Sequence, residues 1–150
     1  MAQLKQEGFV LDDNLAVTPI KGTPFLEMKG VVICSGNLKM TVYKRLRLRR
    51  VGGTAHVHTV TYAYNLSLIG VGNIFRYDNM HSHYGHSTKH HRHQYEPPNV
   101  RKELKHVGEE GWPTLGNALR EARNYVDWCH KYKVALDQQP VELPTESEDY

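Results

Sequence analysis

Hydrophobic and polar positions alternate through residues 38–50. Leu38, Met40, Val42, Leu46 and Leu48 fall on one side, and Lys39, Thr41, Tyr43, Arg45, Arg47 and Arg49 on the other. Period two predicts a half-buried strand. Lys44 is the one charge in the apolar series and is expected to snorkel outward. Before this strand, Val31-Val32-Ile33-Cys34 forms a short apolar run, closed by the turn residues Ser35-Gly36-Asn37. After it, Val51-Gly52-Gly53 turns the chain into a second long strand over 54–69, rich in Thr, Val and Tyr. Gly70-Val71-Gly72 turns again into a strand over 73–79, which completes an antiparallel meander.

Hydrophobic matching sets an expected register, because a slip of one residue turns a whole strand over. A three-residue Val51-Gly52-Gly53 loop pairs Val42 with Tyr62, Met40 with Tyr64 and Leu38 with Leu66. A two-residue Gly70-Val71 loop pairs Leu66 with Phe75 and Tyr64 with Tyr77. One sheet face is then apolar and aromatic. The other collects Lys39, Thr41, Tyr43, Arg45, Arg47, Thr61, Ala63, Asn65, Arg76 and Asp78 as a shallow basic trough.

Further along, Leu115, Ala118, Leu119, Ala122, Tyr125, Val126 and Cys129 recur at three- and four-residue spacing, predicting one helix over 113–132 that starts at Pro113 or Thr114. Its apolar stripe is expected to cover the apolar sheet face. The fold class is therefore α+β: an antiparallel meander of about four to five strands with a C-terminal helix packed on it. Residues 1–28, broken by Pro19, Gly22 and Pro24, read as an irregular segment. Residues 29–134 read as the single domain, and 135–150 as an acidic, disordered tail.

Composition narrows the setting. A chain of 150 residues with 39% hydrophobic content supports one small core. No apolar run approaches the roughly 18 residues needed to cross a bilayer. The first residues lack the apolar stretch of a signal peptide. Cys34 and Cys129 sit in no metal or redox spacing, so a reduced, cytoplasmic protein is expected, without a membrane. The net charge is +3, but the last eleven residues hold four acidic groups and no Lys or Arg. The rest carries 19 basic against 12 acidic residues. Six cations, Lys39, Lys44, Arg45, Arg47, Arg49 and Arg50, fall in one stretch of twelve residues. That suits a polyanion such as RNA, or simply a solvated strand face.

Candidate chemistry concentrates in residues 76–93, which hold six of the ten histidines. Imidazole exchanges protons near neutral pH and is a frequent metal ligand. Arg76 and Asp78 project to one side of a strand. There they form a surface ion pair, or they divide the work: a guanidinium clamps phosphate and a carboxylate orients a histidine. His91-Arg92-His93 places two imidazoles on one side of an extended chain. Such a pair suits general acid and base roles in RNA cleavage, or, with Asp78, the ligation of a divalent metal. His81, His83, His86 and His90 sit among Ser, Gly and Lys and read as incidental members of a polar insertion. Tyr43, among the cations, is the better base-stacking candidate, whereas Tyr62, Tyr64 and Tyr77 read as packing. P-loop, dinucleotide-binding and C-x-x-C motifs are missing from the sequence.

The order Tyr62-Ala63-Tyr64, then Phe75-Arg76-Tyr77-Asp78-Asn79, then His91-Arg92-His93, closing on Trp112-Pro113-Thr114-Leu115, resembles the TumE-type toxins of prokaryotic toxin–antitoxin pairs. The resemblance runs over roughly residues 29–130. It implies a small cytoplasmic toxin with a helix-turn-helix antitoxin as partner, and suggests ribonuclease activity. It marks Tyr64, Arg76, Tyr77, Asp78, Asn79, His91 and His93. The leading expectation is a metal-independent endoribonuclease that needs no cofactor. Arg76, Asp78, His91 and His93 would be catalytic. Lys39, Tyr43, Arg45, Arg47, Tyr64, Tyr77 and Asn79 would hold substrate. The alternatives are a metal-dependent nuclease or phosphoesterase using His91, His93 and Asp78, and a non-enzymatic module that binds RNA or protein. A homo-oligomer is compatible with each.

Overall fold

A computed structural model describes residues 1–80, 90–96, 100–107 and 112–137. Eight antiparallel strands form one sheet: β1 (Val10–Asp13), β2 (Ala16–Pro19), β3 (Phe25–Cys34), β4 (Leu38–Val51), β5 (Thr54–Leu68), β6 (Gly72–Asp78), β7 (His91–Glu96) and β8 (Val100–His106). Their order is β1-β3-β4-β5-β6-β7-β8, with β2 also on β3. The helices are α1 (Ala2–Gln6), α2 (Leu115–Arg123) and α3 (Val126–Asp137). The expected antiparallel meander is present, with more strands than the four to five anticipated.

Part of the excess comes from residues 1–28, expected to be irregular. They form α1, β1, β2 and the start of β3. β1 pairs with the C-terminal part of β3 and β2 with its N-terminal part, so both lie along one edge. Gly30 makes the corner between them feasible. A Cβ there, at φ +152°, would lie 2.7 Å from Asn14 Oδ1. That oxygen instead accepts a hydrogen bond from Val31 N–H at 2.6 Å. The remaining strands, β7 and β8, follow the histidine-rich segment.

Two compensating errors meet in the central registers. Val51 pairs with Thr54, so the first turn is Gly52-Gly53 alone, both at positive φ as a two-residue type I′ hairpin requires. A bulge on β5 then shifts the register between Arg45 and Leu46. Leu38 therefore faces Leu68, Met40 faces Leu66 and Val42 faces Tyr64, two residues from the expected partners but on the same face. On β6, Tyr64 faces Tyr77 and Leu66 faces Phe75, as expected, although the turn has three residues and a bulge restores the register.

The apolar face and the helices make the core. Leu38, Met40, Val42, Tyr64, Leu66, Leu68 and Phe75 form one cluster with Ala118, Leu119, Ala122 and Cys129. Thr114 caps α2, its side chain accepting from Asn117 N–H at 3.1 Å. The expected single helix is two. At Asn124 and Tyr125 the backbone bonds tighten to Glu121 O and Ala122 O, three residues back, which ends α2. α3 then runs through Asp137, past the expected start of the tail; residues 138–150 lie outside the described residues. Among the described residues no helix is long and apolar enough to cross a membrane.

Candidate functional site

Strand pairing brings the two ends of the histidine-rich segment together. Arg76 faces His93 and Asp78 faces His91 across β6 and β7. Partners in an antiparallel ladder share a face. These four residues therefore lie opposite the helix-covered face, beside Asn65 and Ala63 of β5. Arg76 and Tyr64 are on different faces, as the trough requires.

Asp78 is the hub. Its Oδ2 accepts from Arg76 Nε at 2.8 Å and lies 3.5 Å from His93 Nε2. Its Oδ1 accepts from Met80 N–H at 3.1 Å. Only 1% of Asp78 is exposed. Burial alone would raise its pKa, but His93, Arg76 and the Met80 amide outweigh burial and hold the carboxyl well below the usual carboxylate range.

The two histidines differ. His91 is fully buried and its Nδ1 lies 3.1 Å from the Asp78 backbone carbonyl, to which it donates. It packs against His93 with ring centroids 5.8 Å apart. His93 is stacked on its other side by Tyr95 at 6.2 Å. With Nε2 turned to Asp78, the buried Nδ1 of His93 has no hydrogen-bond partner among the described residues. The contact with Asp78 assigns the proton to Nε2 and leaves Nδ1 as the acceptor.

The expected substrate contacts divide. Lys39 and Tyr43 lie half-buried along β4, on the same face as the hub. Arg45 packs its guanidinium 4.1 Å from the Phe25 ring centroid, and the exposed Arg47 lies 6.0 Å from it. Tyr64 and Tyr77 are on the opposite, helix-covered face. Tyr64 is fully buried; Tyr77 donates to Glu121 Oε2 at 2.7 Å, and burial together with Glu121 pushes its hydroxyl up to about 12. These two residues build the core rather than the trough. Asn79 bridges backbone: its Nδ2 donates to Val60 O and its Oδ1 accepts from Tyr62 N–H, each at 2.9 Å. Lys44, expected to reach outward, is half-buried near the Tyr64 ring, and burial lowers its pKa.

Other residues of this region carry weight that alternation alone does not reveal. Asn65, Ser67 and Asn73 form a hydrogen-bonded trio beside Arg76, with Asn73 Oδ1 accepting from Asn65 at 2.8 Å and Ser67 at 3.0 Å. Arg92, between the two site histidines, turns to the helix side and donates to Glu121 Oε1 at 2.6 Å and to Gln94 Oε1 at 2.7 Å. It ties β7 to α2 and so fixes the strand that presents His91 and His93. His90, expected to be incidental, is buried. Its Nδ1 is 3.0 Å from the Tyr62 hydroxyl and its ring lies 5.2 Å from that of Trp112. His81, His83 and His86 lie outside the described residues. Cys34 and Cys129 are both buried, and burial pushes the Cys34 thiol up to about 11.

Among the described residues no group of three or more His, Cys, Asp or Glu is arranged to hold a metal ion. No family model, curated protein or solved structure matches the chain.

Proposed function

We propose that the protein is a cytoplasmic toxin that cleaves RNA without a metal, neutralised by a helix-turn-helix antitoxin. The observation that carries this reading is the shared carboxylate oxygen: Asp78 Oδ2 meets Arg76 Nε at 2.8 Å and His93 Nε2 at 3.5 Å. A carboxylate so placed orients an imidazole and leaves its other nitrogen for substrate. His93 Nδ1, buried in the free protein, takes the proton of a ribose 2′-hydroxyl once bound RNA opens the packing around it. The 2′-oxygen bonds to phosphorus, the bond to the 5′-oxygen breaks, and the same proton passes from His93 to that oxygen. The products are a 2′,3′-cyclic phosphate and a 5′-hydroxyl. Arg76 stabilises the charge gathering on the phosphoryl oxygens. His91 is a positioning residue that braces His93 and the Asp78 backbone, in place of the second proton-transfer role expected for it. DNA, lacking the 2′-hydroxyl, is not cleaved.

A divalent ion on His91, His93 and Asp78 is the rival reading. It would have to compete with the Arg76 guanidinium for Asp78 Oδ2, which places like charges together. Incubating the purified protein with total RNA, with and without a chelator, separates the two. Cleavage that survives chelation, yields cyclic-phosphate ends and falls about 10²–10⁴-fold in His93→Gln supports the proposal. Cleavage abolished by chelator and restored by one divalent ion replaces it with the metal reading. RNA that stays intact throughout leaves only a binding module.

A further inference from the structure

From Arg47 to Gly52 the cations lie where the hairpin leaves the sheet. β3 pairs with β4 only as far as Arg47, and β6 pairs with β5 only from Ala63. Residues 49–51 and 54–59 therefore ladder-pair with the opposite strand of the hairpin alone. The result is a two-stranded arm closed by Gly52-Gly53.

The bulge at Val60 decides what this arm displays. Below it, the even-numbered residues of β5, Tyr62, Tyr64, Leu66 and Leu68, face the core. One extra residue reverses that order. His58 now pairs with Arg47 and His56 with Arg49, on the face that continues into Arg45, Tyr43 and Thr41. Val57 moves to the reverse side, opposite Leu48. Asn79 holds the bulge by bonding Val60 O and Tyr62 N–H on either side of it.

The face so formed is charged and uncompensated. No Asp or Glu occurs in residues 28–77. Arg45, Arg47 and Arg49 have no carboxylate partner among the described residues; Glu27, opposite Arg45, contacts Lys29 at 3.4 Å. Arg47, Arg49, His56 and His58 are all exposed. Arg45, Arg47 and Arg49 follow one another on this face without a paired counter-charge, so the arrangement gains from a bound anion. Successive side chains on one face of a strand stand roughly 7 Å apart, of the order of the spacing of phosphates along an extended single strand.

We propose that the face of the arm bearing Arg47, Arg49, His56 and His58 docks the phosphate backbone of single-stranded RNA and leads it, by way of Arg45 and Tyr43, toward Asp78 and His93. The choice of RNA rests on the proposed function above; the docking itself does not need cleavage. Tyr43, half-buried between Arg45 and Thr41, offers a ring for base stacking.

The test is fluorescence anisotropy of the full chain with a labelled 2′-O-methyl single-stranded 12-mer, which binds but cannot be cleaved, across a salt series. Arg47→Gln/Arg49→Gln is expected to weaken binding at least tenfold and to lower the slope of log K against log salt by about 1.4, two phosphate contacts at about 0.7 each. The charge-matched control Lys105→Gln/Lys131→Gln, in exposed positions on β8 and α3 away from the arm, is expected to bind as the unaltered protein does. Equal weakening in both double variants, or none in the arm variant, overturns the proposal, as does tighter binding of the matching RNA duplex. In parallel, cleavage of natural RNA is followed. Arm-dependent binding without cleavage removes the catalytic reading and leaves the docking face. Cleavage with KM unchanged in the arm variant removes the docking face and leaves the catalytic reading.

Discussion

The same sheet face carries arginine and histidine at two places, and it treats them oppositely. Around Asp78, Arg76, His91 and His93 are tucked against a carboxylate and withdrawn from water. On the arm, Arg47, Arg49, His56 and His58 face one another in water with no carboxylate among them. Withdrawal fixes atoms to within a fraction of an ångström and suits proton transfer. Display leaves charge unspent and suits capture of a polyanion. The lesson is that residue type says little about role until burial and counter-charge are known.

Asp78→Asn should break the contrast most severely. It strips the counter-charge from a buried guanidinium, and a loss of about 3–5 kcal/mol in urea unfolding is expected. The pH dependence follows from the same group. Its folded pKa lies below its unfolded value of about 3.9, so its stabilisation is complete above that pH and fades as acid drives it toward the folded value. The variant should therefore lose much of the acid-limb decline in stability below about pH 4, and an unchanged limb would remove Asp78 from its place as hub.

Asn79→Ala comes next. It leaves Val60 O and Tyr62 N–H without their side-chain partner, at about 1–3 kcal/mol. Because Asn79 holds the bulge, RNA binding should weaken although Asn79 touches no ligand; destabilisation with binding intact would mean the bulge stands without it. Gly53→Ala places a side chain at φ +80°, costing about 1 kcal/mol by thermal melting, with the buried hub untouched. The smallest effect sharpens the contrast from the other side. Arg49→Gln should leave stability within about 0.5 kcal/mol of the parent while still lowering the salt slope of RNA binding. A large loss of stability there would mean that the arm's cations hold structure after all.

Much of the sheet was legible because period two survives errors of even size. Expecting a three-residue turn at Gly52-Gly53 shifted the register by one and missing the bulge shifted it by another, so the partners of Met40 and Val42 moved by two and still faced the core. Bulges are less visible. Val60 resembles its neighbours, and only the Asn79 side chain, seventeen or more residues away, marks it. The pairing of Arg76 and Asp78 with His93 and His91 needed only alternation and an extended H-x-H. Which histidine is tied to backbone and which to a carboxylate depends on rotamers, which spacing does not encode. Tyr64, Tyr77 and Asn79, expected to hold substrate, build the core and the bulge instead. Residues 1–28 were obscure because their strands are four residues long and take their order from β3.

The Val60 bulge also bears on how such a chain tolerates insertions and deletions. Removing Val60 itself would take out the bulge alone: Thr59 would still pair with Leu46, His58 with Arg47 and His56 with Arg49, so the arm would keep both its sides and its reach. Adding two residues to each strand, by contrast, would lengthen the arm by roughly 7 Å and keep every side chain on its side. Reach can therefore drift in steps of two on both strands, while a single-residue step on one strand is absorbed where a bulge takes it up.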